Sequence, residues 1–137
     1  IETRIAWNWS ERFRGSIGYA WIDPDRSTAE LMEETPPHKV DVNLGVSPVA
    51  GMTIDYWIDR LDERSTRIDG FVLTACTVHG ISVSQAVGDQ LSIRLQVSNI
   101  ADTRYEDELG YPSPGRRVVV GLAWSPWAAA GERSGIR

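Results

Sequence analysis

The side chains with the greatest capacity for catalysis or metal binding are few and far apart in this sequence. They are two histidines, His38 and His79, and a single cysteine, Cys76. A hydrolytic site needs a nucleophile beside a histidine and a carboxylate, and a structural zinc site needs about four cysteine or histidine ligands at recognisable spacings. The sequence shows neither pattern. We therefore predict no catalytic residue, no metal site and no bound cofactor, and we interpret His79 as an ordinary residue of a sheet.

Two carboxylates lead to the same conclusion. Asp55 and Asp59 are four positions apart in a segment of alternating polarity, so both lie on one face of the predicted strand. Burial of both in a dry core would be costly, whereas water removes that cost. We interpret them as the lining of a water-filled space. A barrel-type lipase or protease remains the weaker, enzymatic alternative.

Strict alternation of apolar and polar residues is the main structural signal, and it recurs in one segment after another. Successive residues of a strand point to opposite faces, so each such segment predicts a strand with one apolar and one polar face. The first segment is predicted to alternate without a slip, with Trp9 on the same face as Ile5 and Trp7. The seven predicted strands cover residues 1–10, 13–21, 40–46, 52–59, 71–83, 91–98 and 118–124.

Short and long connections alternate between these strands. The short ones lie near Glu11, Val49 and Gly88, and the long ones cover 23–38, 62–70 and 99–115. This rhythm is typical of up-and-down barrels in outer membranes. We therefore predict an all-β fold, an antiparallel up-and-down transmembrane β-barrel, of which this chain is a C-terminal fragment of about seven strands. Residues 1–127 are predicted to hold the strands and 128–137 a disordered tail.

Composition is compatible with this fold and excludes some other classes. The chain has 137 residues, 42% of them hydrophobic, and no apolar run long enough for a membrane-spanning helix. The net charge of −5 and the lack of a basic stripe argue against a nucleic-acid partner. Six tryptophans and four tyrosines suit the aromatic girdles of a membrane barrel. A soluble β-sandwich or lipocalin-like binder is a less favoured alternative, because its outward face should be polar.

The sequence from Gln90 onward carries two motifs around its last long loop. Asn99, Ile100, Asp102 and Tyr105 form the first, and a stretch from Tyr111 to Arg116 with Pro114 and Gly115 forms the second. Together they resemble the closing strands of TonB-dependent outer-membrane receptors, in which an Asn-Leu-x-Asp-x-x-Tyr loop precedes a Pro-Gly-Arg start of the final strand. We expect the following motif residues to shape this loop: Asn99, Asp102, Tyr105, Pro114, Gly115 and Arg116.

The resemblance implies a function that the residues alone do not. Such receptors are not enzymes but import a scarce ligand, for example siderophore-bound iron or cobalamin. The implied partners are outer-membrane lipid, a small-molecule ligand such as a metal chelate, and the TonB energy-coupling complex through an N-terminal part outside this sequence. The implied location is the cell outer membrane of a Gram-negative organism, with extracellular loops and a periplasmic C-terminus. Another outer-membrane barrel, a porin or an enzyme, is the alternative.

Position in the long loops gives the candidate ligand contacts. They are Arg26, Glu33, Glu34, Arg64, Arg67, Tyr105 and Glu106. One departure from the family pattern stands at the end of the last strand, where Pro126 takes the place of the expected terminal aromatic residue.

Overall fold

The computed structural model describes residues 1–22, 35–66, 68 and 70–125, and every regular element within them is a strand. Seven strands are long, and four short strands form two small ladders. The long strands are β1 (Glu2–Ser10), β2 (Phe13–Trp21), β3 (His38–Val46), β4 (Met52–Leu61), β7 (Cys76–Val87), β8 (Leu91–Ser98) and β11 (Arg117–Trp124). The short strands are β5 (Arg64–Ser65) with β6 (Val72–Leu73), and β9 (Glu106–Glu108) with β10 (Tyr111–Pro112). The described part of the chain has no helix that is long and apolar enough to cross a membrane.

The seven long strands form one antiparallel sheet in the order β1-β2-β3-β4-β7-β8-β11. Each long strand therefore pairs with the next long strand along the chain, which is the predicted up-and-down arrangement. The prediction of an all-β antiparallel barrel fragment of about seven strands is confirmed. The sheet is not closed in this chain, because β1 and β11 form its two edges.

Short and long connections lie at opposite ends of the sheet. Residues 11–12, 47–51 and 88–90 join strands at one end, called here the turn side, and 22–37, 62–75 and 99–116 join them at the other, the loop side. Gly51 and Gly88 occupy positive φ values of 74° and 65° in the short connections. Glycine adopts such values without the steric cost that other residues carry, which lets these turns stay tight.

The two faces of the sheet differ in chemistry along all seven strands. Residues directly opposite each other on neighbouring strands share a face, and the register places Ile17 beside Ile5 and Val42, and Leu95 beside Val120. We call the face that carries these residues the apolar face. Its side chains are exposed on the edge strands, as the accessible fractions of 61% for Ile5 and 67% for Val120 show, and half-buried on the central strand β4. The opposite, polar face carries Arg4, Arg14, Asp41, Asp55 and Arg94, which alternate with the apolar-face residues.

The predicted unbroken alternation of the first strand is wrong at its end. The pairing of β1 with β2 passes from Asn8 opposite Arg14 to Ser10 opposite Phe13, so Trp9 is an extra residue at a β-bulge. Its side chain is 86% exposed. A bulge adds one residue and a local twist next to a tight connection, and the periodicity of the sequence does not signal it.

The predicted bounds of the fifth strand and of two loops also need correction. The strand covers Cys76–Val87 rather than 71–83, because Val72 and Leu73 pair with Arg64 and Ser65 in a separate small ladder. Gly80 does not interrupt β7, since the ring of Trp57 on the paired strand lies over it and fills the space where a side chain would project. The long connections 62–75 and 99–116 thus contain short strands of their own. The predicted tail at 128–137, together with Pro126, lies outside the described residues.

Candidate functional site

Buried side chains concentrate on the loop side, where two long connections pack together. Leu73 and Cys76 are the buried hydrophobic residues of the described chain, at 5% and 6% exposure. Two polar residues of the loop side, Arg64 and Asn99, are also buried, at 4% and 3% exposure. Connections that lie over a surface are usually well solvated. Here the segments 62–75 and 99–116 instead form a small packed layer at the end of the sheet.

Arg64 joins these two loops. Its Nη1 donates to the carbonyl oxygen of Asp107 at 3.0 Å and its Nη2 to that of Glu106 at 2.6 Å, while Nε is buried without a hydrogen-bond partner. Hydrogen bonds from a charged donor are stronger than neutral ones, so the guanidinium braces the β9–β10 ladder against the β5–β6 ladder. A role of Arg64 as a ligand contact stays a prediction.

Asn99 ties the two ends of the last long loop. It adopts a left-handed φ of 52°, and its side-chain amide donates to the carbonyl oxygens of Thr103 at 2.9 Å and Pro114 at 3.4 Å. Its Oδ1 accepts a hydrogen bond from the Thr103 amide at 2.8 Å. Asparagine is among the few residues that occupy this backbone region readily.

A second set of bonds completes the same closure. Asp102, at φ 55°, accepts a hydrogen bond from the Arg116 amide at 2.8 Å, and Arg116 Nε donates to the carbonyl oxygen of Ile100 at 2.9 Å. A Cβ on Gly115 would lie 2.6 Å from Asp102 Oδ1, so glycine is required for this approach. We call the joined segments 99–103 and 114–116 the clasp. The clasp is attached to β7 through the Ile100 amide, which donates to the His79 carbonyl oxygen at 3.0 Å.

The other predicted contacts divide between described and undescribed parts of the loops. The Tyr105 carbonyl oxygen accepts from the Ser113 amide at 2.9 Å, and the Glu106 carboxylate accepts from the Gly110 amide at 2.9 Å. An open cavity of about 580 Å³ lies between the loops and is lined in part by Phe71, Arg104 and Tyr105. The remaining predicted ligand contacts lie outside the described residues: Arg26, Glu33, Glu34 and Arg67.

The polar face carries opposite charges on strands that lie two apart in the sheet. Arg4 of β1 and Asp41 of β3 form an ion pair at 3.0 Å, and Arg14 of β2 pairs with Asp55 of β4. A cavity of about 420 Å³ lies on this face, with Arg14, Asp55 and Arg94 among its lining residues. The sheet therefore curves toward its polar face, and the ion pairs sit on the concave side where water can reach them.

Each histidine is held by a tyrosine on the apolar face. The Tyr19 hydroxyl lies 2.8 Å from His38 Nδ1, and the Tyr56 hydroxyl lies 2.8 Å from His79 Nδ1. Sequence reasoning missed both pairs, because each joins diagonal positions on two strands and needs the register to be recognised. Among the described residues no group of three or more histidine, cysteine, aspartate or glutamate side chains is placed to hold a metal ion.

An open antiparallel sheet with a continuous exposed apolar face and a concave charged face has the architecture of an outer-membrane β-barrel wall. Solved structures make this more specific. The structure matches a mutant ferric enterobactin receptor from Pseudomonas aeruginosa in complex with enterobactin, with a TM-score of 0.75 and 14% identity over 90% of this chain and 22% of that one.

Two further receptors match over the same share of this chain, 90%. The siderophore receptor PiuA from Acinetobacter baumannii has a TM-score of 0.72 and 14% identity over 21% of its length. The ferric-catecholate import receptor Fiu from E. coli has a TM-score of 0.72 and 17% identity over 20% of its length. The chain thus spans about a fifth of the length of the receptors it matches. No family model and no curated protein matches the sequence.

These matches confirm, at the level of the fold, the resemblance to the barrel portion of a TonB-dependent receptor. At identities of 14% to 17% they establish the fold and not the ligand.

Proposed function

We propose that this chain forms seven neighbouring strands in the wall of a TonB-dependent outer-membrane receptor that imports a scarce ligand. The observation that carries the proposal is the apolar face, which continues across all seven strands, with side chains that are exposed on β1, β2 and β11 and mostly half-buried on β3, β4 and β7. Monomeric soluble proteins rarely leave apolar patches of more than a few hundred Å² exposed. Hydrocarbon is the environment that covers such a face without a protein partner.

Curvature separates this proposal from a soluble binder of the lipocalin kind. A soluble β-barrel turns its apolar face inward and its polar face toward bulk water. Here the cavity lies over Arg14, Asp55 and Arg94, so the concave side is the charged one. The height of the apolar face also fits an outer-membrane barrel. The eight residues of β8, at ~3.3 Å each and with a tilt of roughly 40°, span about 20 Å, close to the height of the apolar belt of outer-membrane barrels.

The ligand and the partners follow from the matched receptors as part of this proposal. They include a ferric enterobactin receptor and a siderophore receptor, which favours a metal chelate as the ligand. We place the loop side outside the cell and the C-terminus in the periplasm, and we assign ligand contact to the long loops. Energy coupling through the TonB complex belongs to the same proposal.

Adjacent positions on β11 test the central claim. With Cys76 replaced by alanine, single cysteines would be introduced at Val120 on the apolar face and at Val119, which pairs with Gln96 on the polar face. In native outer membranes we expect a water-soluble maleimide to label position 119 and to leave position 120 unlabelled. A nitroxide-bearing lipid should relax a probe at 120 only. Equal labelling of both positions by the aqueous reagent would reject the membrane wall.

A non-enzymatic role is part of the same proposal. Turnover of esters or peptides by the purified protein above the blank would contradict it and favour the barrel-hydrolase alternative.

A further inference from the structure

One charged side chain lies on the apolar face of the seven long strands. It is Arg60, which stands opposite Val40 on β3 and Thr77 on β7, one residue before the loop-side end of β4. Its Nη1 donates to Thr77 Oγ1 at 3.1 Å. The ion pairs of the described residues involve Arg4 and Arg14, so Arg60 has no carboxylate partner there. An exposed cation on this face needs an anion from outside the sheet or water.

Each of the two strands next to Arg60 carries one histidine near it. His38 of β3 precedes Val40 by two residues, and His79 of β7 follows Thr77 by two residues, so both share its face. Diagonal neighbours across a strand pair lie roughly 7–8 Å apart, within reach of long side chains. Arg60 and the two imidazoles of the apolar face thus all lie near the loop-side end of the sheet. The Arg60 cluster is defined as Arg60, His38, His79, Tyr19 and Tyr56.

The tyrosines set the direction in which the imidazoles can donate. In both pairs the tyrosine stands opposite the residue two places after the histidine, Val40 for Tyr19 and Ile81 for Tyr56, so the geometry is repeated. The hydroxyl and Nδ1 lie 2.8 Å apart in both pairs, and when the tyrosine is the donor, Nε2 carries the ring proton. We assign this tautomer to both. Each ring then offers an N–H donor on the side away from its tyrosine.

We infer that the Arg60 cluster binds the phosphate head group of an anionic membrane lipid. A guanidinium matches phosphate through paired N–H donors, and the two Nε2–H groups add donors of the same kind. From the cluster toward the turn side the same face continues through Val42, Ile58 and Ile81, which would contact the acyl chains. A free phosphate ion would have no use for that apolar strip, so the occupant is the lipid.

The inference rests on the proposed membrane location of the apolar face. It also accounts for a charge that would otherwise be costly, since arginine on the lipid face costs roughly 2–4 kcal/mol at the bilayer midplane but about 0–1 kcal/mol near the interfaces. The position of Arg60 at the loop-side end of β4 corresponds to the interface.

Quenching of tryptophan fluorescence by lipids with brominated acyl chains tests the inference and its premise separately. The membrane-inserted full-length protein would be placed in phosphatidylcholine vesicles that contain brominated phosphatidylglycerol or, in parallel, brominated phosphatidylcholine. We expect phosphatidylglycerol to associate about fivefold more strongly than phosphatidylcholine, in keeping with one exposed charge-assisted contact. Arg60→Gln should bring this ratio close to one, and Arg60→Lys should retain part of it.

Arg117→Gln is the matched control, because it removes the same charge at the loop-side end of β11 on the polar face. It should leave the ratio unchanged. Quenching by both lipids without a preference for phosphatidylglycerol, or an equal loss in both variants, would overturn the lipid site while the membrane wall stands. The absence of quenching by either lipid would instead reject the membrane wall itself.

Discussion

Single side chains determine the shape of the loop side. Asn99 and Arg64 are polar and nearly inaccessible, and each satisfies backbone carbonyl groups that the loops would otherwise leave unpaired. Burial of a polar group is costly unless it is hydrogen-bonded, and the bonds to these carbonyl groups offset that cost for the Asn99 amide and for both terminal nitrogens of Arg64.

Substitution of Asn99 separates its two contributions. Asn99→Ala loses the side-chain bonds to Thr103 and Pro114 and places alanine at a φ of 52°, so we expect the clasp to open about 2–3 kcal/mol more easily. Asn99→Gly loses the bonds but keeps the backbone freedom, and about 1–2 kcal/mol is expected. Hydrogen exchange of the Thr103 and Arg116 amides measures both. Equal values for the two variants would show that the left-handed backbone contributes nothing.

The role of a single residue could be predicted where a sequence motif marked it. It could not be predicted where the residue's partner lies on a different strand. Asn99, Asp102 and Gly115 could be singled out because their spacing matches a known loop. The pairing of His79 with Tyr56 could not, since it depends on which residue of β7 stands opposite which residue of β4. The burial of Arg64 was equally hidden, because a charged residue in a polar stretch is usually solvated.

At the scale of elements, the long loops are small structures in their own right. The ladders β5–β6 and β9–β10 lie within connections 62–75 and 99–116, and Arg64 links one ladder to the other. Alternating polarity predicted the long strands well, because each has one apolar face. It failed for two-residue strands such as Val72–Leu73, which are too short to show a period, and for the bulge at Trp9.

Removal of the brace should loosen one ladder selectively. In Arg64→Met both bonds to the carbonyl groups of Glu106 and Asp107 are lost, and we expect the β9–β10 ladder to open about 2 kcal/mol more easily. Hydrogen exchange across residues 106–112 measures the change. Arg104→Met serves as the control, since Arg104 is exposed and lies in the connection 99–116 that contains the β9–β10 ladder. Similar exchange in the two variants would show that Arg64 does not hold the ladders together.

At the scale of the whole molecule, the sheet is, in the proposed membrane wall, a boundary between two environments. Its apolar residues are spread over a face rather than collected in a core, and two ion pairs lie on the concave side. The seven-strand order was predictable from the rhythm of short and long connections. The open edges at β1 and β11 follow from the strand order, and the matched region is about a fifth of the receptor's length.

A charge introduced on each face of β11 in turn tests whether the two faces meet different solvents. Val120→Arg introduces a guanidinium on the apolar face, and we expect the free energy of unfolding from lipid vesicles to fall by about 2–4 kcal/mol. Val119→Arg, one residue away on the polar face, should cost less than about 1 kcal/mol. Urea titration of the membrane-inserted protein gives both values. Comparable losses in the two variants would mean that the two faces meet the same solvent.

The clasp also protects the last strand against slippage. Arg116, the residue before β11, is fixed to Asp102 and Ile100, while Ser98 at the end of β8 precedes Asn99 directly. Sliding β11 by one place would move Val118, Val120 and Leu122 to the polar face and would also break these bonds. Two independent costs, the exposure of apolar side chains on the wrong face and the loss of the Arg116 bonds, therefore oppose a shift of register. The polar residues of the clasp thus help to fix the register of the apolar residues of β11.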